Sequence, residues 1–308
     1  MSEAGAPRVS ICIPAYEQVT YLQRTLSSIV EQDFSDLEVI VTDDSTSNAV
    51  EELVSQYTGP LGSRLRYQRN RPAHGTPGNW NTAIDLARGD LVKIMHHDEW
   101  FAAPDSLRAF VDLIDRSGAD FVFSAVQTTV VKTGRTWILC PSDEEVATLL
   151  RCPDRILLAN IIGPPSSTIH KRSLGLRYDE RFRYVVDMVY YRAALLKHKV
   201  DRTKEVLVLS VSDAGHNVTG TSKTPDVELR EYCEALDDRM ADMPAAVKHD
   251  VERFIFGLLV TYGVTDRTAL RRHHPKWNGK GPYGRLLLKA KLYRTLRPLF
   301  GGKTARLA

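Results

Sequence analysis

The feature that most constrains the fold is a regular alternation of short apolar strands and amphipathic helices over residues 8–126. The β-branched, apolar run at residues 8–14 ends in a proline and is typical of a strand buried on both faces. Apolar residues at helical spacing follow at residues 20–32, with Thr20 as the predicted N-cap. Further strands are predicted at residues 37–42, 65–68, 90–95 and 120–126, and further helices at 49–57, 79–88 and 105–117. This alternation predicts an α/β fold with a mostly parallel sheet flanked by helices.

Polar residues collect at the carboxyl ends of three of these strands. They occupy residues 14–17, residues 43–44 and residues 96–99. In open α/β sheets ligands bind outside the carboxyl ends of the strands, so we expect one site built from three loops. Side chains alternate along a strand, which predicts that His96 and Asp98 point the same way. Their nitrogen and oxygen atoms could together hold a divalent cation.

The usual phosphate-binding motifs are missing from this sequence. It contains no P-loop, no GxGxxG after the first strand and no GxSxG. A diphosphate ligand would therefore need a metal ion to neutralise its charge, which is the role we expect Asp98 to support. A nucleotidyltransferase would normally carry a glycine-rich motif and a basic residue after the first strand. Residues 14–17 do not match that pattern, so this function is disfavoured.

Five segments resemble the large family 2 of inverting glycosyltransferases, which have the GT-A fold. They are VSICIPAYE at residues 9–17, LSSIVEQDF at 26–34, EVIVTDDS at 38–45, ARGD at 87–90 and IMHHDEW at 94–100. Their order and spacing carry the resemblance more than any single motif does. The resemblance implies transfer of a sugar from a nucleoside diphosphate, with UDP or dTDP favoured, to an acceptor hydroxyl.

The same resemblance implies a nucleoside pocket at the ends of the first two strands. The residues that would line it are Pro14, Ala15, Tyr16 and Glu17. An ionised Asp44 would accept a hydrogen bond from the N–H of a pyrimidine ring. The alternative is that Asp43 and Asp44 only cap the turn before the next helix.

Asn79 and Asn81 open the helix that follows a Gly/Pro-rich loop at residues 71–78. The resemblance implies that these two asparagines contact the nucleotide or the donor sugar. The alternative is that Asn79 caps the helix while Trp80 packs in the core. The sequence leaves both interpretations open.

The place of the family's DxD motif is taken by His96, His97 and Asp98. The resemblance implies that Asp98 ligates Mn²⁺ or Mg²⁺ directly, whereas the first acidic position of the motif is a histidine here. His96 could ligate Mn²⁺ or hydrogen-bond the ribose or a phosphate, and His97 would join the substrate contacts. Glu99 would hold the loop or a sugar hydroxyl. His216, in a polar loop further along, would close on the diphosphate and complete the metal site.

An inverting transfer needs a general base that takes the proton of the acceptor hydroxyl. Asp187 is the candidate, because it lies in an otherwise apolar helical stretch where desolvation would raise its pKa. It also matches the acidic position of the family's Glu-Asp segment, although Val186 replaces the glutamate. The alternative is a helix N-cap. Residues 163–168 resemble the acceptor-side wall of the family, or are a turn entering a strand.

The charge of the chain is distributed unevenly. The net charge is +3, but residues 271–308 contain eleven Lys or Arg and no Asp or Glu, which leaves −8 for residues 1–270. Leucines recur between these basic residues at roughly helical spacing, which slightly favours an anionic membrane surface as partner over a solvated tail. Nucleic-acid binding is disfavoured, because no nucleic-acid motif accompanies the charge. We expect a GT-A domain at residues 1–220 and a helical region at residues 221–308.

The remaining composition predicts the compartment and the acceptor only broadly. Four scattered cysteines, no secretory signal and no apolar run long enough to cross a bilayer predict a cytoplasmic enzyme, with peripheral association at the inner face of the membrane as an option. A glycan, a lipid-linked glycan or a small molecule could be the acceptor. Because His96 and Val186 depart from the family pattern, a second class of function stays open. This class is a sugar-nucleotide-binding protein without catalysis.

Overall fold

The computed structural model describes residues 5–212, 222–237 and 243–296. The strands are β1 Val9–Ala15, β2 Leu37–Asp43, β3 Leu65–Arg69, β4 Leu91–Ile94, β5 Glu99–Phe101, β6 Phe121–Val130, β7 Thr136–Leu139, β8 Thr168–Lys171 and β9 Val200–Ser212. The α-helices are α1 Val19–Val30, α2 Ala49–Ser55, α3 Thr58–Leu61, α4 Gly78–Leu86, α5 Ser106–Ser117, α6 Asp143–Arg151, α7 Val186–Lys197, α8 Arg230–Asp237, α9 Ala245–Tyr262, α10 Arg267–His273 and α11 Tyr283–Leu296.

The nine strands of the described residues form one sheet in the order β3-β2-β1-β4-β8-β6-β9-β5, with β7 paired to β6. The first four strands in this order are parallel, as the β–α alternation predicts. The second half is mixed, because β8 runs antiparallel to both β4 and β6 while β6 and β9 are parallel. The predicted α/β class with its helix-flanked sheet is confirmed.

The first strands and helix form where the apolar pattern places them. Every residue of β1 and β2 is buried, and the face of α1 that carries Leu22, Leu26 and Ile29 is buried against the sheet core. The predicted cap at Thr20 is wrong. The helix begins at Val19, and Gln18 holds the N-cap position without a side-chain hydrogen bond. The apolar period fixes which face of a helix is buried, but it does not fix the first turn.

The sheet brings the three polar strand ends together. Ala15 at the end of β1 pairs with Asp43 at the end of β2, and Cys12 pairs with Ile94 at the end of β4. The chain turns after Ile94, so strand alternation does not extend to the following residues. The sequence-based reason for placing His96 and Asp98 on one side was therefore wrong, and their arrangement depends on the loop.

The described residues divide into two compact units. One contains residues 5–153, 160–181 and 186–212, and therefore the whole sheet. The other contains residues 154–159, 182–185 and the described residues from 222 onward. The predicted domain boundary after residue 220 stays a prediction, because residues 213–221 lie outside the described part of the chain. No helix among the described residues is long and apolar enough to cross a membrane.

Candidate active site

The loop between β4 and β5 holds the imidazole of His96 in a fixed orientation. Its Nδ1 lies 3.3 Å from Oε2 of Glu99, and its ring packs on Trp80 with 4.6 Å between the ring centroids. Its Nε2 is buried and has no hydrogen-bond partner among the described residues. Because a buried polar atom without a partner costs free energy, such an atom in a strand-end loop is suited to a ligand contact.

Three carboxylates act on the His96 ring. Burial alone would lower the pKa of His96, but the negative charges of Glu99, Asp98 and Asp187 outweigh burial and raise that pKa above its ordinary value. Asp187 belongs to α7, whereas the other two carboxylates follow β4. The predicted general base and the DxD-like segment therefore share one electrostatic environment.

Sequence reasoning missed two residues that support this loop. Lys93 is fully buried in β4, where its ammonium group donates to the Ser166 carbonyl and lies 4.5 Å from the ring centroid of Phe110. Burial lowers the pKa of Lys93 to about 7, against the opposing charge of Glu99. The Ser166 hydroxyl donates to the Glu99 carboxylate and accepts from the His96 backbone N–H. A lysine inside an otherwise apolar strand was the available signal.

The loop after β1 presents one exposed aromatic ring and one engaged carboxylate. The Tyr16 side chain is 56% exposed at the strand end. Glu17 has φ of 55°, a left-handed conformation that is uncommon for a residue other than glycine. Its carboxylate accepts hydrogen bonds from Thr46 and Ser47, and these bonds lower the pKa of Glu17 to about 2. Glu17 thus ties the loop after β1 to the loop after β2.

The aspartate pair after β2 is buried and already hydrogen-bonded. Asp43 accepts from the Ser45 backbone N–H and from the Tyr67 hydroxyl. Asp44 accepts from the Asn70 side chain and, through both oxygens, from the backbone N–H groups of residues 74 and 75. Asp43 therefore holds the turn, as the alternative interpretation has it, while Asp44 fixes the loop that leads to α4.

Asn79 and Asn81 make scaffold contacts, which differs from the expected contact with the donor. The Asn79 side chain donates to the carbonyls of Ala15 and Thr42, and it is 5% exposed. It lies inside α4 and caps no helix. The Asn81 side chain, 2% exposed, bonds to the backbone of Tyr178. Both amides are buried and hydrogen-bonded to the protein backbone, so they stabilise the segments around the site.

Asp187 has the surroundings that the general-base hypothesis requires. It lies in the first turn of α7, and its carboxylate is half-buried. Burial raises the pKa of Asp187 to about 6, although the Met188 backbone N–H, the charge of His96 and the Asn160 side chain oppose the shift. Asn160 donates to Oδ2 of Asp187 over 2.8 Å and, from the same nitrogen, to the carbonyl of Gly163. Asn160 was not identified from the sequence.

The part of the chain that the structure describes does not hold a complete donor set for a metal ion. No three His, Cys, Asp or Glu side chains are grouped to hold a metal ion among residues 5–212, 222–237 and 243–296. The predicted ligand His216 lies outside these described residues. Asp98 offers a carboxylate, the ligand type that Mg²⁺ and Mn²⁺ prefer. Asp98 is therefore the described residue whose chemistry fits such a cation.

The segment at residues 163–168 is a turn entering a strand. Residues 165–167 form one 3₁₀ turn, and β8 begins at Thr168. Gly163 has φ of 98°, and a Cβ there would come within 3.1 Å of the Val126 side chain. Only glycine tolerates both this positive φ and the lack of space for a Cβ. Gly163 therefore allows the segment to approach β6 closely. The hydroxyls of Ser166 and Ser167 are buried and hydrogen-bonded within the protein.

Comparison with known proteins assigns the chain to a family. Residues 10–163, half of the 308 residues, match the model for Glycosyl transferase family 2. The chain therefore belongs to glycosyltransferase family 2, as the strand-end motifs indicated.

Curated relatives match over shorter stretches. The GalNAc(5)-diNAcBac-PP-undecaprenol β-1,3-glucosyltransferase of Campylobacter jejuni is 33% identical over 94 residues, which is 30% of each chain. The UDP-Glc:α-D-GlcNAc-diphosphoundecaprenol β-1,3-glucosyltransferase WfgD of Escherichia coli is 26% identical over 116 residues, which is 37% of this chain and 44% of that protein. The chain thus matches less than half the length of either relative.

Solved structures share the fold over almost the whole chain. TarS of S. aureus in complex with UDP-GlcNAc has a TM-score of 0.61 at 17% identity, covering 92% of this chain and 79% of that chain. The mannosyltransferase PcManGT of Pyrobaculum calidifontis, in complex with GDP-Man and Mn²⁺, has a TM-score of 0.56 at 18% identity, covering 95% and 82%. These likenesses confirm the GT-A-like fold.

Proposed function

We propose that the protein is an inverting glycosyltransferase that moves a sugar from a nucleoside diphosphate to an acceptor hydroxyl, with Asp187 as the general base. The observation that carries this proposal is the half-buried Asp187 carboxylate, whose pKa is raised to about 6 beside the DxD-like loop. A carboxylate with such a pKa is ionised at neutral pH and is still a stronger base than an ordinary aspartate. It can therefore take the acceptor proton as the hydroxyl attacks.

The nucleoside of the donor would bind between the loops after β1 and β2. The exposed Tyr16 ring is available for stacking on a base, and aromatic stacking tolerates any base. Oδ2 of Asp44 accepts one described hydrogen bond, from Gly75, and a carboxylate oxygen has room for two. A pyrimidine N–H can use the second position, which favours a UDP or dTDP donor.

The diphosphate of the donor would lie at the loop after β4. There Asp98 would hold Mn²⁺ or Mg²⁺, and the buried Nε2 of His96 would either donate a hydrogen bond to a phosphate oxygen or, when deprotonated, ligate the cation. When bound, the cation neutralises negative charge that develops on the leaving diphosphate. Glu99 and Ser166 would keep the His96 ring in place through their hydrogen bonds.

The acceptor would be a glycan carried on a lipid diphosphate. The names of the Campylobacter and Escherichia relatives specify such acceptors, and this chain shares their family. A lipid-bearing acceptor requires the enzyme to work at a membrane surface. The surface of α11 is suited to that requirement.

Helix α11 exposes a stripe of leucines. Leu288, Leu292 and Leu296 are 60%, 52% and 44% exposed and, being four residues apart, lie along one face of the helix. The exposed residues Lys289 and Lys291 flank them in sequence. The opposite face is buried in the second unit. An exposed apolar stripe beside basic residues matches the interface of an anionic bilayer, so α11 would lie on the cytoplasmic face of the membrane.

Vesicle sedimentation tests the membrane contact. We expect the protein to bind phosphatidylcholine vesicles that contain phosphatidylglycerol, and to bind less as salt rises. Replacing Leu288, Leu292 and Leu296 by Ser should abolish binding, whereas Leu196→Ser, which removes an equally exposed leucine from α7, should not. Equal binding by the triple variant and the wild-type protein would contradict this part of the proposal.

The catalytic assignment is tested with Asp187→Asn. Wild-type protein with UDP-glucose or UDP-GlcNAc, Mn²⁺ and a GlcNAc-diphosphate bearing a short alkyl chain should form a product whose new anomeric bond is inverted, as read by NMR. Asp187→Asn should lower the transfer rate by about 10²- to 10⁴-fold, because it removes the proton acceptor. UDP affinity, measured by calorimetry, should stay unchanged. Asp85→Asn, which alters an exposed aspartate of α4, is the matched control.

Two outcomes would contradict the proposal in different ways. Transfer that survives in Asp187→Asn would remove this residue as the base. Tight UDP binding without donor hydrolysis or transfer in the wild-type protein would favour the sugar-nucleotide-binding protein that lacks catalysis.

A further inference from the structure

A row of paired residues crosses the sheet from the predicted active site to β7. Glu99 on β5 lies opposite Ser210 on β9, Ser210 lies opposite Thr128 on β6, and Thr128 lies opposite Trp137 on β7. Residues directly opposite each other on neighbouring strands have their side chains on the same face. The hydrogen bond of 2.7 Å between the Thr128 and Ser210 hydroxyls agrees with this placement. Glu99 and Trp137 are thus the two ends of one row on one face of the sheet.

The two ends of this row differ in exposure. Glu99 is 6% exposed and contacts His96, whereas Trp137 is 48% exposed. Neighbouring strands are about 4.8 Å apart, so three strand spacings separate the ends by about 14 Å. A distance of this size is spanned by a few sugar units. The Trp137 indole is exposed to solvent on the same face of the sheet as the predicted active site. It is therefore suited to contact a ligand that extends outward from that site.

A second set of contacts connects Asp187 with the face of β7 that carries Trp137. Leu139 is two residues along β7 and therefore on the same face as Trp137. Its Cδ2 lies 3.4 Å from the position that a Cβ on Gly163 would occupy. The Gly163 carbonyl accepts from the Asn160 amide nitrogen that also donates to Asp187. The segment between Asn160 and Gly163 therefore borders Asp187 on one side and the β7 face on the other.

We propose that the Trp137 indole is a stacking platform for a sugar ring of the acceptor glycan. This inference rests on the proposed glycosyl transfer and adds the acceptor-side subsite. One face of a pyranose ring carries mainly C–H groups, which pack against an aromatic face while the hydroxyls stay solvated. A ring stacked on Trp137 would place the rest of the acceptor beside the segment between Asn160 and Gly163, with its attacking hydroxyl toward Asp187.

The chain supplies a matched control on the same strand. Ile138 is 55% exposed, and as the neighbour of Trp137 it lies on the opposite face of β7. A ligand on the Trp137 face leaves Ile138 untouched. A lipid surface or a second protein copy that covered the hairpin would depend on Ile138 as well.

The test measures acceptor binding and donor hydrolysis separately. Soluble gluco- and N-acetylglucosamine oligosaccharides are titrated by saturation-transfer NMR into full-length protein loaded with UDP. The tightest binder then serves as the acceptor in the transfer assay. Trp137→Ala should raise the acceptor Kd and KM by about 3- to 10-fold, Trp137→Phe should restore most of the loss, and Ile138→Ala should match the wild-type protein. Hydrolysis of the UDP-sugar without acceptor should be the same in all four proteins.

Each other outcome counts against the platform. Oligosaccharide binding by Trp137→Ala that equals wild type would overturn it, as would failure of every oligosaccharide to bind the wild-type protein. Equal losses in Trp137→Ala and Ile138→Ala, with vesicle binding or self-association reduced in both, would assign the hairpin to a bilayer or a dimer. Absence of both donor hydrolysis and sugar transfer in the wild-type protein would instead refute the proposed function, and the platform would then be judged by the NMR titration alone.

Discussion

The loops after β1 and β2 form the nucleoside side of the site, and the loop after β4 with the start of α7 forms the reaction side. The two sides shift the pKa of a carboxylate in opposite directions. After β1, hydrogen bonds from Thr46 and Ser47 lower the pKa of Glu17 to about 2. At the start of α7, burial raises the pKa of Asp187 to about 6. The first carboxylate receives several donors and stays ionised, whereas the second is desolvated and keeps its affinity for a proton.

These opposite shifts indicate where chemistry can take place in this protein. Glu17, Asp43 and Asp44 are engaged by protein donors, so the loops after β1 and β2 are preorganised before a ligand arrives. The Nε2 of His96 and the Asp187 carboxylate retain capacity for a ligand and a proton. Two carboxyl groups whose surroundings shift their pKa values in opposite directions are typical of sites where one group maintains the structure and the other accepts a proton.

Asp98→Asn should have the largest effect on the transfer rate. If Asp98 belongs to the reaction side as a metal ligand, the variant should lose at least about 100-fold in transfer rate, because stabilisation of the leaving group by the cation is worth several kcal/mol. Calorimetry supplies a readout that does not depend on activity. Mn²⁺ should tighten UDP binding to the wild-type protein and have little effect on UDP binding to Asp98→Asn.

Asp33→Asn provides the control for Asp98→Asn, since Asp33 is an exposed aspartate that pairs with Arg108. It should keep the wild-type response to Mn²⁺. If Asp98→Asn bound UDP with the same Mn²⁺ response as the wild-type protein, Asp98 would not be a ligand.

The next effect is the pH dependence of kcat/KM for transfer. Asp187 must be ionised to accept a proton, and its pKa is raised to about 6, so activity should fall as pH drops through that value. We expect a loss of about 10-fold at pH 5 relative to the plateau, since one pH unit below the pKa leaves about a tenth of the base ionised. Stopped assays of transfer across pH 5 to 8 check this.

Asn160→Ala tests the origin of that pH dependence. The Asn160 side chain donates to the ionised carboxylate of Asp187 and lowers its pKa, so removing it should move the acidic limb of the profile to higher pH. Ser55→Ala, an exposed change in α2, should leave the profile in place. A profile that stays flat down to pH 5, or an unmoved limb in Asn160→Ala, would contradict the role of Asp187.

Much of the fold could be predicted because it follows from local patterns. Buried runs such as β1 and β2 specify strands by composition alone, and the helix between them returns the chain to the start of the sheet, so the two strands run parallel. The mixed second half could not be predicted in this way. The pairing of β8 between β4 and β6 joins residues far apart in sequence, and no local pattern encodes such a neighbour.

The candidate site was predictable in position and less so in contacts. The strand ends located the residues, since sheet topology brings carboxyl ends together. The contacts of Asn79 and Asn81 depend on where their amides find partners, and the sequence does not show that these partners are Ala15 and Tyr178. Ser166 belongs to the segment compared with the acceptor-side wall, but its hydrogen bonds to Glu99 and His96 could not be predicted, because no sequence pattern shows which group a buried serine hydroxyl contacts.

The smallest expected effect tests whether the nucleoside side does more than hold its own loops. Tyr16 is the exposed side chain beside the hydrogen-bonded Glu17, and stacking on a base is worth about 1 kcal/mol or more, so Tyr16→Ala should raise the UDP Kd by about fivefold. Tyr16→Phe keeps the ring and should bind like the wild-type protein. Thermal stability should change little in either, because the ring is largely in solvent. If Tyr16→Ala bound UDP as tightly as Tyr16→Phe, the loops after β1 and β2 would be scaffold alone, and recognition of the base would have to come from other residues.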